Sequence, residues 1–370
     1  MKVVCNDQMP VRVVREGLPE GRRVRSTRLG LAIFLVNFSA YLGTFAAILF
    51  VNEWWAKVAF AIVNGLLVST LFIIGHDACH GSLTSQFWLN RLIARISFLP
   101  SLQPFATWYL SHNGRHHGWT NLKGYDPVYP PFSKAEFDTL PWWRRFMERV
   151  YRTPLGIGLF YFVEVYLKHE MFPSPGNRPR NRLVFELDRA LVLVFFFAEL
   201  AVGFLVPYNQ TASVAVAMGT TALSVLTPFA LWNWISAFVT LQHHTNPSVA
   251  WFDKREEWTF YRGQVRGTVH VIFPRWISFL LHHIMEHTAH HVDPLVPLYN
   301  LPATQATLVK NHSPDVPVVY WTLDHFLRSL AICRLYDYQN HRWMRFDGTY
   351  SSPRTLPDLQ TLHTKSDVVE

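Results

Sequence analysis

The stretch that decides the fold is "VAFAIVNGLLVSTLFIIG", residues 58–75, which runs straight into "HDACHG", residues 76–81. A helix needs about 20 apolar residues to cross the hydrocarbon core of a bilayer, and this uncharged run nearly suffices alone. It ends in two histidines four residues apart, a spacing that puts both rings on one helical face. One such pair is a weak signal. Its meaning depends on whether other histidines at helical spacing gather on the same side of the membrane.

Composition supports the membrane reading. Of 370 residues, 49% are hydrophobic and only 16% are charged, against roughly 25% charged in soluble domains. The three cysteines, Cys5, Cys79 and Cys333, are far apart and form no CxxC pair, which excludes a disulfide scaffold or a thiolate zinc site as the organising principle. The formal charge is +8, and seven of the Lys/Arg residues fall in residues 1–28. No cleavable apolar segment precedes them, so they read as a cytoplasmic anchor and not as a signal peptide or a nucleic-acid-binding arm.

Four crossings emerge, at about 29–51, 58–75, 190–206 and 211–242, in two tight hairpins joined by "NEWWAK" and "PYNQ". The expected fold is therefore an all-α integral membrane protein whose two termini are cytoplasmic. Residues 1–28 form a basic N-terminus, 29–310 a membrane domain and 311–370 a cytoplasmic C-terminal region. The fourth run exceeds the bilayer requirement; it either projects "TLQHH" into the cytoplasm or tilts. Residues 87–99 and 155–172 have the pattern of helices lying on the membrane surface. Glu199, in the middle of the third span, is either protonated or turned toward partner helices.

Eighteen histidines are spread unevenly. His76 and His80 make the first group; His112, His116 and His117 make "HNGRHH"; His287, His290 and His291 make "HTAHH". Each group occupies one side of a helix, and an even number of crossings between them puts all eight rings in one compartment. Imidazole at this density suits iron, zinc or copper better than magnesium or calcium. Eight nitrogens exceed the three or four that one zinc takes, so two ions fit the count. A helical cap beneath the spans would hold them. A histidine-rich metal transporter is the non-enzymatic competitor, but it would carry its ligands inside the spans, near the midplane.

"HDACHGS", "WYLSHNGRHHGWTN" and "HTAHH", in this order around four crossings, resemble the three histidine boxes of the membrane fatty-acid desaturase superfamily, and most of all its bacterial and plant acyl-lipid desaturases. The resemblance covers roughly residues 30–310. It implies a non-haem centre of two irons at the cytoplasmic face, ligated by the eight box histidines and by a further histidine after a Leu-Gln pair. "TLQHHTNP" matches that feature and assigns the role to His243, with His244 its adjacent competitor. The implied reaction is O2-dependent introduction of a double bond into a membrane acyl chain, with electrons from a separate carrier such as ferredoxin and its reductase. The implied location is a bacterial inner membrane. The middle box departs from the common HxxHH in being HxxxHH, a spacing shared with alkane hydroxylases, so hydroxylation or ketolation of alkanes, fatty acids or carotenoids is the alternative. Histidine ligands need their second ring nitrogen oriented; Asp77, Asp126, His283, Glu286 and Asp293 sit beside the boxes as candidates for that task.

Overall fold

The computed structural model describes residues 6–356, so Cys5, the first five residues of the basic N-terminus and the last fourteen of the C-terminal region lie outside the described residues. Among the described residues, four helices are long and apolar enough to cross a membrane: α2 (Thr27–Phe50), α3 (Trp54–His80), α9 (Arg182–Thr211) and the continuous helix Val214–His244. A short helix, α1 (Val11–Glu16), precedes them. The last span is built of α10 (Val214–Thr221), a π-helical turn over Ala222–Leu226, and α11 (Thr227–His244). Pro228 lacks the N–H that a regular helix would use, and the wider turn just ahead of it accommodates the interruption.

The helices are longer than the apolar runs that announce them. α3 continues five residues beyond Gly75 to His80, so the first histidine pair lies on the span helix itself. α9 continues through Pro207 and stops at Ala212, which is left-handed at φ 49°. The turn between the third and fourth spans is therefore at 212–213, not over "PYNQ". Thr211 helps close the last turn, its hydroxyl donating to the Pro207 carbonyl at 2.8 Å. Glu199 of α9 accepts a hydrogen bond from Tyr41 of α2, so its charge-bearing group is turned toward a partner helix.

Close approach sets the packing. A Cβ at Gly65 of α3 would lie 2.8 Å from Leu231 of α11, and one at Gly75 would lie 2.7 Å from the Phe98 ring. The two glycines thus let α3 sit against α11 and against α4 (Phe87–Phe98). α4 is amphipathic and leaves Phe87 and Trp88 exposed, while Arg95 pairs with Asp188 of α9 at 2.8 Å.

The remaining elements connect and follow the spans. α5 (Phe105–Trp108) passes directly into a π-helix, Tyr109–His116. Then come α6 (Lys134–Thr139), α7 (Trp142–Tyr151) and α8 (Gly156–Phe160), the last continuing as a π-helix over Tyr161–Met171. After the fourth span follow a π-helical turn (Tyr261–Val265), α12 (Arg275–Leu280), α13 (His287–Val292), α14 (Leu301–His312) and α15 (Leu323–Ile332). Two small sheets depart from an all-helical expectation. β1 (His270–Ile272) pairs in parallel with β2 (Val318–Tyr320), and β3 (Leu335–Asp337), β4 (Arg342–Met344) and β5 (Tyr350–Arg354) form an antiparallel meander. Trp343 of β4 is fully buried and donates its indole N–H to the Asn246 carbonyl just past α11, which ties the C-terminal sheet to the end of the fourth span.

The basic N-terminus reaches α13. Arg22 and Arg23 both pair with the buried carboxylate of Asp293 at 2.8 Å, and Arg15 donates to the Val292 carbonyl at 2.7 Å. Three arginines therefore clamp the C-terminal end of α13, the helix that carries "HTAHH".

Candidate metal centre

Nine imidazoles come together where α3, the 109–116 π-helix, α11 and α13 meet. They fall into two groups, in each of which one ligand-type atom per residue lies within 4.8 Å of the others: His76, His80, His112, His117 and His290 in one, His116, His244, His287 and His291 in the other. All eight box histidines are among them.

The helices explain the division. In α13, His287 and His291 are four residues apart and share a group, while His290 points to the other. The middle box is five residues from first to last, which an α-helix would splay. The π-helix closes instead with i→i+5 hydrogen bonds, His117 N donating to the His112 carbonyl at 2.9 Å. One wider turn thus puts His112 and His117 on the same side and leaves His116 for the second group. The HxxxHH spacing is absorbed by the backbone, and both HH-containing boxes feed both groups.

Within each group the ring nitrogens converge. His112 Nε2 lies 2.9 Å from His76 Nε2 and 3.0 Å from His117 Nε2, and the latter is 3.1 Å from His290 Nε2. In the second group, His287 Nε2 is 3.0 Å from the Nε2 atoms of His244 and His291. A ring nitrogen holds either one proton or one lone pair, so one Nε2 facing two others at these distances cannot make an ordinary two-centre hydrogen bond with both. A cation resolves the conflict. Metal–nitrogen bonds of about 2.1 Å at right angles put neighbouring ligand atoms roughly 3.0 Å apart. His80 Nε2, buried without a hydrogen-bond partner, adds a further free donor atom to the first group. The residues therefore fit two metal ions.

Protonation agrees. His112, His117, His287, His290 and His291 are held well below the ordinary histidine range, first by burial and then by repulsion from neighbouring rings. They are neutral at pH 7, with lone pairs available.

Outer contacts set several ring orientations. His116 Nδ1 lies 3.0 Å from Asp126, whose carboxylate also accepts from the N–H groups of Asn121 and Val128. His291 Nδ1 donates to Gln264 Oε1 at 2.8 Å, and Gln264 is itself held by a bond to the His117 carbonyl at 2.6 Å. Trp108 stacks on the His112 ring at 4.1 Å. Of the five residues that sequence nominated for this work, Asp126 is the one the structure brings onto a box histidine. Asp77 instead accepts from Leu298 N at 3.1 Å, Asp293 is taken by Arg22 and Arg23, and Glu286 pairs with His270 at 2.5 Å. His283 sits in a left-handed turn at φ 60°, outside both groups.

The ninth ring also differs from expectation. It is His244 that enters the second group, whereas His243 bonds the Val269 carbonyl through Nδ1 at 2.7 Å and stacks on His287. Gln264, in "YRGQV", carries no sequence signal that would have selected it.

A cleft beside the rings is lined by His76, His112, His116 and His287 together with apolar side chains such as Phe72, Val165 and Val239. Its mainly apolar lining suits a hydrocarbon chain.

The family model described as fatty acid desaturase matches residues 52–324. The chain is 28% identical over 316 residues to an sn-1 oleoyl-lipid 12-desaturase of Picosynechococcus sp., a match covering 84% of this chain and 85% of that protein. It is 28% identical over 309 residues to the protein of the same name from Synechocystis sp., with 83% of each covered. With the chloroplastic omega-6 fatty acid desaturase of Glycine max it shares 29% identity over 287 residues, 77% of this chain but 63% of that longer protein.

Proposed function

The chain belongs to the fatty acid desaturase family, and from that premise we propose that it inserts a double bond into an acyl chain of a membrane lipid, using two irons. The observation that carries this reading is the pair of imidazole groups, five rings and four, opening on an apolar cleft. The similarity to oleoyl-lipid 12-desaturases and omega-6 desaturases supports the substrate class.

One ion belongs to His76, His80, His112, His117 and His290, the second to His116, His244, His287 and His291. Bound iron supplies, from O2 and two electrons, the oxidising power that acid–base side chains lack for an unactivated C–H bond. The protein's part is binding, orientation and exclusion. The cleft takes the acyl chain out of the bilayer and aligns one stretch of it past His76 and His287. Asp126 and Gln264 hold His116 and His291 with Nε2 facing inward, so the rings are set before metal arrives. Apolar walls such as Phe72 and Val165 keep bulk water from the reacting carbons.

The spans form two hairpins with the imidazoles in a cap on the cytoplasmic side, and the basic N-terminus supports that orientation in a bacterial inner membrane. Residues 29–310 constitute the catalytic unit, flanked by 1–28 and 311–370. The electron donor is a separate small carrier such as ferredoxin with its reductase, steered by the basic face. The deciding experiment is acyl-chain profiling of a host with and without the protein, with His116→Ala as control. A new unsaturated chain that disappears in the control supports the proposal. Hydroxylated chains with no unsaturated product refute it.

A further inference from the structure

The cleft contains a group that the imidazole clusters leave unused. Glu170, on the 161–171 π-helix, is the one carboxylate among the side chains lining it. It is 3% exposed and has no salt-bridge partner among the described residues. Gln103 Nε2 donates to its Oε2 at 3.3 Å, and Ser111 lines the same cleft. The titratable and charged groups around it are Arg115 from the middle-box helix, Cys79 from α3, Tyr161 and Tyr166 from its own helix, and His76, His112, His116 and His287 in the lining of the same cleft. Burial pushes the carboxyl up to about 7, against the weaker opposite pulls of Ser111, Arg115 and Gln103.

An alkyl chain offers such a group nothing to bond, and a buried carboxyl without a use is costly. The reaction does offer one. Converting –CH2–CH2– to –CH=CH– with O2 requires two electrons and two protons and releases two waters. The electrons come from the carrier, but the protons must enter a cleft walled by apolar side chains. Resting on the desaturase reading above, we propose that Glu170 relays these protons into the cleft, taking them from solvent on the Arg115 side and handing them through the Ser111 hydroxyl toward the imidazoles that line it. Only the neutral acid has a proton to give. Turnover therefore falls as pH rises through the carboxyl's titration, and this limb belongs to Glu170.

The test compares the full-length protein in membranes, supplied with reduced ferredoxin, with Glu170→Gln and Glu170→Asp. Glu170→Gln is expected to keep its iron, to lose about a hundredfold in double-bond formation, in line with a positioned acid, and to lose the alkaline limb. It also consumes more electrons per double bond. Glu170→Asp recovers part of the rate with a shifted limb. Without any turnover, infrared spectroscopy of the metal-free protein is expected to show a protonated carboxylic acid that titrates near 7 and is missing in Glu170→Gln. A Glu170→Gln protein with the parental rate and pH profile overturns the proposal. So does loss of iron in step with rate and no rescue by aspartate, which marks a structural part, and so does absence of the infrared band. If the parental protein makes no double bond, the desaturase reading is what fails, and the infrared band still reports on the carboxyl.

Discussion

The ninth imidazole provides the sharpest test of the site. His243 and His244 are adjacent and both fully buried, yet their surroundings assign them different work. Replacing His244 with alanine leaves the second group with three rings. A four-ligand structural zinc site binds with roughly 10–16 kcal/mol, so one ring is worth on the order of 3 kcal/mol, or about a hundredfold in affinity. Replacing His243 with alanine instead removes the donor to the Val269 carbonyl and the ring stacked on His287. Leaving that buried carbonyl unpaired costs about 1–3 kcal/mol of stability but takes no nitrogen from either group. The assay is iron per chain, measured on purified protein during a chelator titration, with the thermal midpoint recorded in parallel. His244→Ala is expected to lose one iron of the two at low chelator with its midpoint little changed in the metal-free state. His243→Ala is expected to keep both irons and to melt earlier. The reverse pattern, with His243→Ala losing iron and His244→Ala keeping it, would refute the geometric assignment.

Asp126→Asn puts an amide where three donors meet and should weaken metal binding at the second group by roughly 10–100-fold, read by the same titration. Inserting one alanine between Gly114 and Arg115 exceeds what the π-turn can absorb; both irons are expected to be lost while the spans still insert, as checked by membrane fractionation. Acid should destabilise the metal-free protein. His112, His117, His287, His290 and His291 have lowered values in the fold, so below about pH 6.5, the ordinary histidine value, the unfolded chain takes up protons that the folded chain refuses. The thermal midpoint should fall steadily as pH drops from 6.5 toward the folded values, and a flat profile between pH 7 and 5 would contradict the burial of these rings.

Much of this was legible in the sequence because hydrophobic length and histidine spacing are local signals. The runs at 29–51 and 58–75 announced α2 and α3, and eight box histidines marked the centre. What was hidden depended on backbone phase and on distant chain. The resemblance assigned the ninth ring to His243 as the histidine after the Leu-Gln pair, with His244 its adjacent competitor; position in the sequence does not say which of two neighbouring rings turns inward, and here it is His244 that joins the second group. Glu286, Asp77 and Asp293 stand beside histidines in sequence, yet His270, Leu298 N and two N-terminal arginines claim them. Gln264 reaches His291 only through tertiary packing. The small strands around Trp343 are three to five residues long, too short to show a period.

Because "HNGRHH" and "HTAHH" each contribute to both groups, the two ions would share their supporting helices. A strain or shift in either helix is then felt at both ions, whereas loss of a ring that serves one group alone, such as His244, is felt at that ion only.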